Sequence, residues 1–310
     1  MPTSTFSASC ARLADALSSC DAVLVGAGAG LSTSSGLTYD GQRFQRLFGD
    51  FAARYGIRDM YAGGFYPFPT PEERWAWWSR HIWYNRYERE VGPAYEAVVR
   101  LISNRDYFVL TTNVDHCFQD AGVDKDRLFY TQGDYGLWQC SLPCHESTYD
   151  NRETVRRMVS DQRDLRVPTE LVPRCPVCGR EISMNLRADD SFVEDEGWHA
   201  AARRYSAWLD AHASGRVLYL ELGVGRTPRE SSNTPSGDGS RRIRKPSMPW
   251  STRARHTFCP NCASARSRWT ATSPRRLFLS RRSWRSCGPS PFQANLVVLR
   301  SLRTPIETQK

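Results

Sequence analysis

No apolar run in these 310 residues approaches the roughly 20 that a membrane span needs, which excludes a membrane-embedded reading at the outset. The N-terminus lacks the charged-then-apolar pattern of a secretion leader. It also lacks the early arginines of a transit segment: none precedes Arg12, and Asp15 follows. The Ser/Thr-rich start over residues 1–9 therefore reads as a frayed lead-in to a helix around 11–17. The expected location is intracellular, the cytoplasm ahead of the mitochondrion. Without a secretory route, the ten cysteines point to metal binding ahead of a disulfide framework.

Acidic residues nearly vanish toward the C-terminus. Residues 227–310 hold fifteen Arg and two Lys against three acids (Glu230, Asp238 and Glu307), a net of +14. The whole chain carries +9, which leaves −5 for residues 1–226. The basic character belongs to the tail, so total charge makes no case for nucleic-acid binding by the body. Strand patterns and amphipathic periods are missing from the tail as well. Ser and Arg dominate, Trp250, Trp269 and Trp284 are scattered, and only 294–302 is briefly apolar. Such composition belongs to a disordered or RNA-binding tail. Its abrupt onset also fits a segment read in another frame. Cys259 and Cys262 have no partner pair there and read as chance.

What is present is a globular composition, 40% hydrophobic and 24% charged, of a length for one large domain or two small ones. Residues 21–36, DAVLVGAGAGLSTSSG, organise the rest. A buried strand over 22–25 breaks into Gly26, Ala27, Gly28, Ala29 and Gly30, then Ser32. Small residues after a strand let backbone approach a ligand closely, and free N–H groups there suit a pyrophosphate. The pattern alone is weak, because glycine turns after strands are common.

Helical patterns follow at 44–51, from Pro71 onward and at 94–101. Residues 60–71 read as a connector with large aromatics. Thr70-Pro71-Glu72-Glu73 is a helix start, with a capping Thr, Pro at the first position and acids in the first turn. Trp75, Trp78 and Ile82 share a face, while Trp77 and Tyr84 fall off it and read as cleft residues. A second buried strand, 107–110, ends in Thr111-Thr112-Asn113-Val114-Asp115. A third, 218–222, ends in Gly223-Val224-Gly225. Three buried strands that each open into a polar or glycine-rich loop, with helices between, predict a doubly wound parallel sheet with ligands at the strands' carboxyl ends. Between the second and third lie Cys140-x3-Cys144 and Cys175-x2-Cys178, two knuckles suited to a tetrahedral, structural zinc site, and then a helix around 197–212. His145 is a rival ligand.

Taken together, Gly28-Ala29-Gly30-Leu31-Ser32-x-x-Ser35-Gly36 and Thr111-x-Asn113-Val114-Asp115 with Ala121-Gly122 resemble the two signature blocks of sirtuins. The longer GAGAGLS, with EERWAWWSRHIWYNRY and QGDYGLWQC, more closely resembles class M sirtuins, a macrodomain-linked branch associated with protein ADP-ribosylation. The resemblance covers about 14–225. It implies an α/β fold: a Rossmann-type parallel sheet with an inserted small zinc-binding module, the C-terminal region irregular. The implied parse is an NAD-binding part over 1–131 with a helical insertion at about 45–100. A zinc module and helix follow over 132–215, a return strand over 216–226, and the tail over 227–310.

The resemblance implies roles as well. Gly28, Ala29 and Gly30 would line the NAD phosphates with backbone N–H groups, Ser32 would reach the same region, and Gly26, Ala27, Thr112, Gly223, Val224 and Gly225 would belong to the cofactor site. Asp115 would hold the nicotinamide carboxamide, and Asn113 would contact the ribose. Tyr39, Arg43 and Phe44, where sirtuins usually carry Pro-Asp-Phe-Arg, become cleft residues. Gln132 departs most: deacylating sirtuins place a general-base His there. A glutamine amide takes no proton near neutral pH but can position a hydroxyl. That argues against deacylation and for transfer to an acceptor needing less help, such as a carboxylate. His116 and His145 lie nearby in sequence and read as structural.

The expectation is thus an NAD-dependent protein mono-ADP-ribosyltransferase that binds zinc. Its protein acceptor, by resemblance, is a lipoylated carrier like the glycine-cleavage H protein, and a macrodomain hydrolase reverses the mark. A deacylase, an NAD glycohydrolase, a truncated and catalytically compromised sirtuin, and a non-catalytic protein with a nucleic-acid-binding tail are the alternatives. The family's adenosine-holding strands and Asn-bearing loop are not visible after Gly225.

Overall fold

A computed structural model of the chain describes residues 3–224. Gly225, the Cys259–Cys262 pair and the basic tail lie outside the described residues. Helix α1 (Thr3–Ser19) feeds β1 (Ala22–Ala27), whose six residues are all buried. Gly28 ends the strand and begins α2 (Ala29–Ser34). In α3 (Gly41–Tyr55) the i, i+4, i+7 spacing of Phe44, Phe48 and Phe51 turns three rings inward. The expected connector holds a short helix, α4 (Met60–Gly64), capped by Asp59. Tyr61 and Phe65 are exposed, while Tyr66 and Phe68 pack on the core.

Helix α5 (Pro71–Ile82) starts as its residues predict: Thr70 Oγ1 accepts the Glu73 N–H, with Pro71 in the first turn. One π turn, Trp83–Tyr87, continues it. Then come α6 (Pro93–Ile102), β2 (Tyr107–Thr111), α7 (Cys117–Asp120) and β3 (Leu128–Tyr130). The chain goes on through β4 (Gly133–Cys140), β5 (Tyr149–Asp150), α8 (Arg152–Asp161) and β6 (Ile182–Leu186). It returns through α9 (Glu196–Ala211) to β7 (Val217–Leu222).

Four strands form one parallel sheet in the order β3-β2-β1-β7. The chain moves outward from β1 to β3 and comes back on β1's other side, so strand order reverses at β1. Ala27 pairs with Thr111 on one side and Leu222 on the other. Three strands therefore end at one level, and their loops meet at the switch point where open α/β sheets hold ligands. The apolar core of this part joins Val23, Val25, Tyr95, Phe118, Leu218 and Leu220.

A second, antiparallel sheet has the order β5-β4-β6. Its core is shared with the helices: Phe44, Phe48, Phe51, Trp75 and Trp77 cluster with Trp138, Met158 and Ile182. Trp75 meets Trp138 edge-on at 5.0 Å between ring centroids. Trp77 is not a cleft residue. It is 0% exposed, 4.4 Å from the Phe48 ring and 5.2 Å from the Phe51 ring. Burying a large ring among other rings gains more apolar area than a cleft allows.

Candidate active site

The loop after β1 and the end of β7 interlock through glycine. A Cβ on Gly30 would lie 2.8 Å from Gly223 Cα, and one on Gly223, at φ +64°, would lie 2.1 Å from Leu31 N. Only glycine permits that approach. The contact also occupies donors: Gly28 N–H donates to Leu222 O and Gly30 N–H to Gly223 O, both at 2.9 Å. Two of the three N–H groups assigned to phosphate thus hold the loop itself. Ala29 lies exposed at the loop tip, and Gly26 and Ala27 are buried in β1.

Beneath this loop lies a buried polar network. Ser32 Oγ donates to Asp115 Oδ2 at 2.5 Å and is 2.9 Å from Tyr95 OH. Tyr95 OH reaches Asp115 Oδ2 at 3.2 Å. Asn113 Nδ2 donates to Tyr95 OH at 2.9 Å and to Gly28 O at 3.1 Å. The Cys117 N–H donates to Asp115 Oδ1 at 2.9 Å. Arg89, nearly buried, clamps the Asp115 carbonyl oxygen at 2.6 Å and pairs with Asp120 at 2.7 Å. Ser32, Asn113 and Asp115 are brought together as their motifs suggest. Tyr95, which ties all three, reads in sequence only as one residue of a helix. Thr112 sits beside them, its N–H donating to Ala27 O.

The segment after α2 behaves differently. Phe44 is buried in the aromatic core, stacked 6.1 Å from Phe48, and faces no cleft. The Arg43 guanidinium donates to Thr38 O, Asn85 Oδ1 and Tyr84 O at 2.7–3.0 Å, fastening α3 to the π turn. Tyr39 OH is 2.6 Å from Tyr135 OH, which is 3.0 Å from His81 Nε2. Burial pushes Tyr39 up to about 12. Burial, with the Arg43 charge, pushes His81 down to about 3. His81 Nδ1 is buried with no partner.

Gln132 is placed by backbone bonds on both sides. Thr131 N–H donates to Thr111 O at 3.0 Å, and Tyr135 N–H to Val114 O at 2.9 Å. The loop that carries Gln132 is therefore stitched alongside the Asn113–Asp115 loop. Gly133, at φ +89°, is forced by β6: a Cβ there would lie 1.9 Å from Asn185 O. Two residues past Gln132, Asp134 is buried. Its Oδ2 lies 2.5 Å from His116 Nδ1, and its Oδ1 accepts from Arg86 Nε at 2.9 Å and Gly136 N–H at 2.7 Å. Burial pushes the Asp134 carboxyl up, but the His116 bond and the Arg86 charge outweigh it and hold it below the usual range.

The four cysteine sulfurs lie within 4.8 Å of one another, with Cys140–Cys178 at 3.6 Å and Cys144–Cys175 at 3.7 Å. A zinc ion bonded to four sulfurs at about 2.3 Å holds them roughly 3.8 Å apart, so the cluster fits zinc with every position filled by protein. His145, the rival ligand, has its Nδ1 2.9 Å from Cys144 Sγ and its Nε2 held by Tyr149 OH at 2.5 Å. A cleft of about 630 Å³ lined by Cys144, His145, Arg187, Glu194 and His199 lies beside this cluster and shares no residue with the Asp115 network.

No family model matches the chain. It is 41% identical over 216 residues to a Staphylococcus aureus protein ADP-ribosyltransferase, across 69% of either chain. A Fusarium oxysporum f. sp. cubense relative, a probable bifunctional ADP-ribose hydrolase/ADP-ribosyltransferase, is 32% identical over 225 residues. That match spans 67% of this chain and 36% of the fungal one. Among solved structures, a Sir2 homologue–NAD complex aligns over 69% of this chain and 72% of its own at 16% identity, TM-score 0.45. With the bacterial relative matched over more than two thirds of its length, and with both motif loops meeting at the head of the parallel sheet, the chain belongs to the sirtuin family.

Proposed function

We propose that this chain is an NAD-dependent protein ADP-ribosyltransferase of the class M type. It cleaves the nicotinamide–ribose bond of NAD and transfers ADP-ribose to a protein side chain. The bacterial relative's name supports the activity. The observation that carries it is the placement of Gln132, an amide, against the Asn113–Asp115 loop, where a deacylase needs a base.

NAD, when bound, supplies a glycosidic bond and a leaving group that departs neutral. The chain's residues do the rest. Asp115, with both oxygens already accepting protein donors, is held rigid to accept a carboxamide N–H. Asn113 is turned toward Gly28 by its own bond and orders the ribose. The interlocked Gly28–Gly30 loop lets the pyrophosphate approach, with Ala29 at its exposed tip, and Thr112 and Val224 line the same edge. Tyr39, its hydroxyl bonded to Tyr135, and Arg43, bonded to the π turn, keep the segment after α2 in place. Gln132 positions a hydroxyl without taking its proton. Preorganised dipoles are the source of rate here. Cys140, Cys144, Cys175 and Cys178 hold zinc as a structural ion that ties the end of β4 to the 175–178 knuckle.

The acceptor is a protein, by resemblance a lipoylated carrier. The fungal relative is named as joining an ADP-ribose hydrolase to the transferase, which supports a macrodomain hydrolase as the reversing partner. Among the described residues no helix is long and apolar enough to cross a membrane, and we place the enzyme in the cytoplasm. The test is calorimetric titration of the full chain with NAD, then transfer of labelled ADP-ribose to a recombinant lipoylated carrier. Micromolar binding, lost in Asp115→Ala, and label on the carrier are expected. Binding without label on any protein, with release of an acyl group instead, would replace this reading by deacylation.

A further inference from the structure

We propose that His116, oriented by Asp134, is the general base of this site, taking the proton from a hydroxyl nucleophile as that nucleophile attacks the ribose. This rests on the ADP-ribosyl-transfer reading. The need is chemical: water or a side-chain hydroxyl must lose a proton when it adds to carbon, and Gln132 cannot take it. Five of the six histidines fall among the described residues. His81 is buried, held neutral, and already bonded to Tyr135. His145 is bonded at both ring nitrogens beside the cysteines. His212 is bonded to Trp208 O and Asp106. His199 lines the cleft beside the cysteines.

His116 differs from these in three ways. It follows Asp115 directly, and its loop is stitched to the Gln132 loop. Its Nδ1 is committed to a buried carboxylate at 2.5 Å, while among the described residues no bond engages its Nε2. Its side chain is one quarter exposed, so the ring is open to small molecules from solvent. An Nδ1–H held by a carboxylate fixes the tautomer whose Nε2 carries the lone pair, the arrangement of a general base. Arg86 and the Gly136 N–H hold the other oxygen of Asp134, so the carboxylate stays ionised and ready to stabilise an imidazolium. The backbone is also unusual: His116 sits at φ +65°, in the left-handed region. Such conformations are costly and cluster at functional sites.

The step balances. The nucleophile's oxygen forms a bond to ribose C1′, and the C1′–nitrogen bond breaks with its electron pair going to nicotinamide. The nucleophile's proton goes to His116 Nε2 and then to solvent. With water as nucleophile the products are ADP-ribose, nicotinamide and one proton.

The test uses the full chain with NAD and no protein acceptor, so that water is the nucleophile, and follows nicotinamide release against pH. The groups around His116 are Asp134 from β4, Arg86 from the π turn, and Asp115, Asp120 and Arg89 flanking its own loop. Tyr130, which burial pushes above its usual range, stays neutral across the window. The wild-type rate should rise with pH through one titration and level off, because the base works only unprotonated. His116→Asn, whose asparagine tolerates the left-handed backbone, should lower kcat about 100-fold or more and lose that rise, with the NAD dissociation constant within a few-fold. Asp134→Asn should do the same. Imidazole 15N NMR should show the Nδ1-protonated tautomer in the wild type and its loss in Asp134→Asn. A His116→Asn chain that binds NAD and keeps the wild-type rate and profile overturns the proposal, as does an Nε2-protonated tautomer in the wild type. A wild-type chain that neither binds NAD nor releases nicotinamide overturns the underlying reading, and this proposal with it.

Discussion

Tyr95 is the residue that makes the polar network one object. Its hydroxyl contacts Ser32, Asn113 and Asp115, three groups that lie far apart in sequence. Burial and the nearby Asp115 carboxylate keep it from ionising anywhere near neutral pH, so it acts as a fixed hydroxyl. Tyr95→Phe keeps the ring and strips three buried groups of a partner. We expect about 1–3 kcal/mol lower stability in urea and weaker NAD binding by calorimetry. His81 gives a pH prediction whose sign is fixed by its burial. Its folded value is about 3 against 6.5 in the open chain. As pH falls through that window the unfolded chain takes up the proton first, so stability is full above 6.5 and drops toward 3. The slope is up to ~1.4 kcal/mol per pH unit, which between pH 7 and 5 amounts to roughly 2 kcal/mol. Urea midpoints at the two pH values should converge in His81→Gln.

At the scale of elements, the interlock of Gly30 and Gly223 joins the β1 loop to the end of β7. Gly223→Ala places a methyl where Leu31 N stands and imposes a left-handed backbone on alanine. A loss of at least ~2 kcal/mol follows, with NAD binding falling alongside, as thermal melts with and without NAD would show. Thr70→Ala supplies the contrast. It removes the α5 cap, costs ~1 kcal/mol, and leaves NAD affinity unchanged. The elements legible in sequence were those with local signals: the three apolar strands, the Thr70-Pro71 helix start, the glycine loop and the cysteine knuckles. The short strands β3, β5 and β6 were not legible. Their residues have no periodicity of their own, and pairing across the sheet holds them. Helical spacing marks only one face, whereas the α3 rings Phe48 and Phe51 with the Phe68 ring bury Trp77 on a second face.

Across the whole molecule the aromatic core unites the helices α3 and α5 with the antiparallel sheet, and the sheet's knuckles carry the cysteines. Zinc bound there would tie down the same core into which Tyr39 and Tyr135 pack. Elemental analysis should find one zinc per chain. A strong chelator should lower the melting temperature and weaken NAD binding together, and Cys178→Ser should reproduce the effect without chelator. If the ion leaves with no change in either measurement, the module is independent of the cleft.

The sequence by itself determined the family, the strand-to-loop positions of Asn113 and Asp115, the two cysteine knuckles and the absence of a base at Gln132. Each is written in contiguous residues whose types carry the chemistry. Tertiary structure alone decided that Gly28 and Gly30 spend their N–H groups on β7, that Phe44 belongs to a core, that Tyr95 closes the network, and that His116 meets Asp134. Those facts depend on contacts between segments far apart in the chain, and only the packed sheet and helices bring such groups to bonding distance.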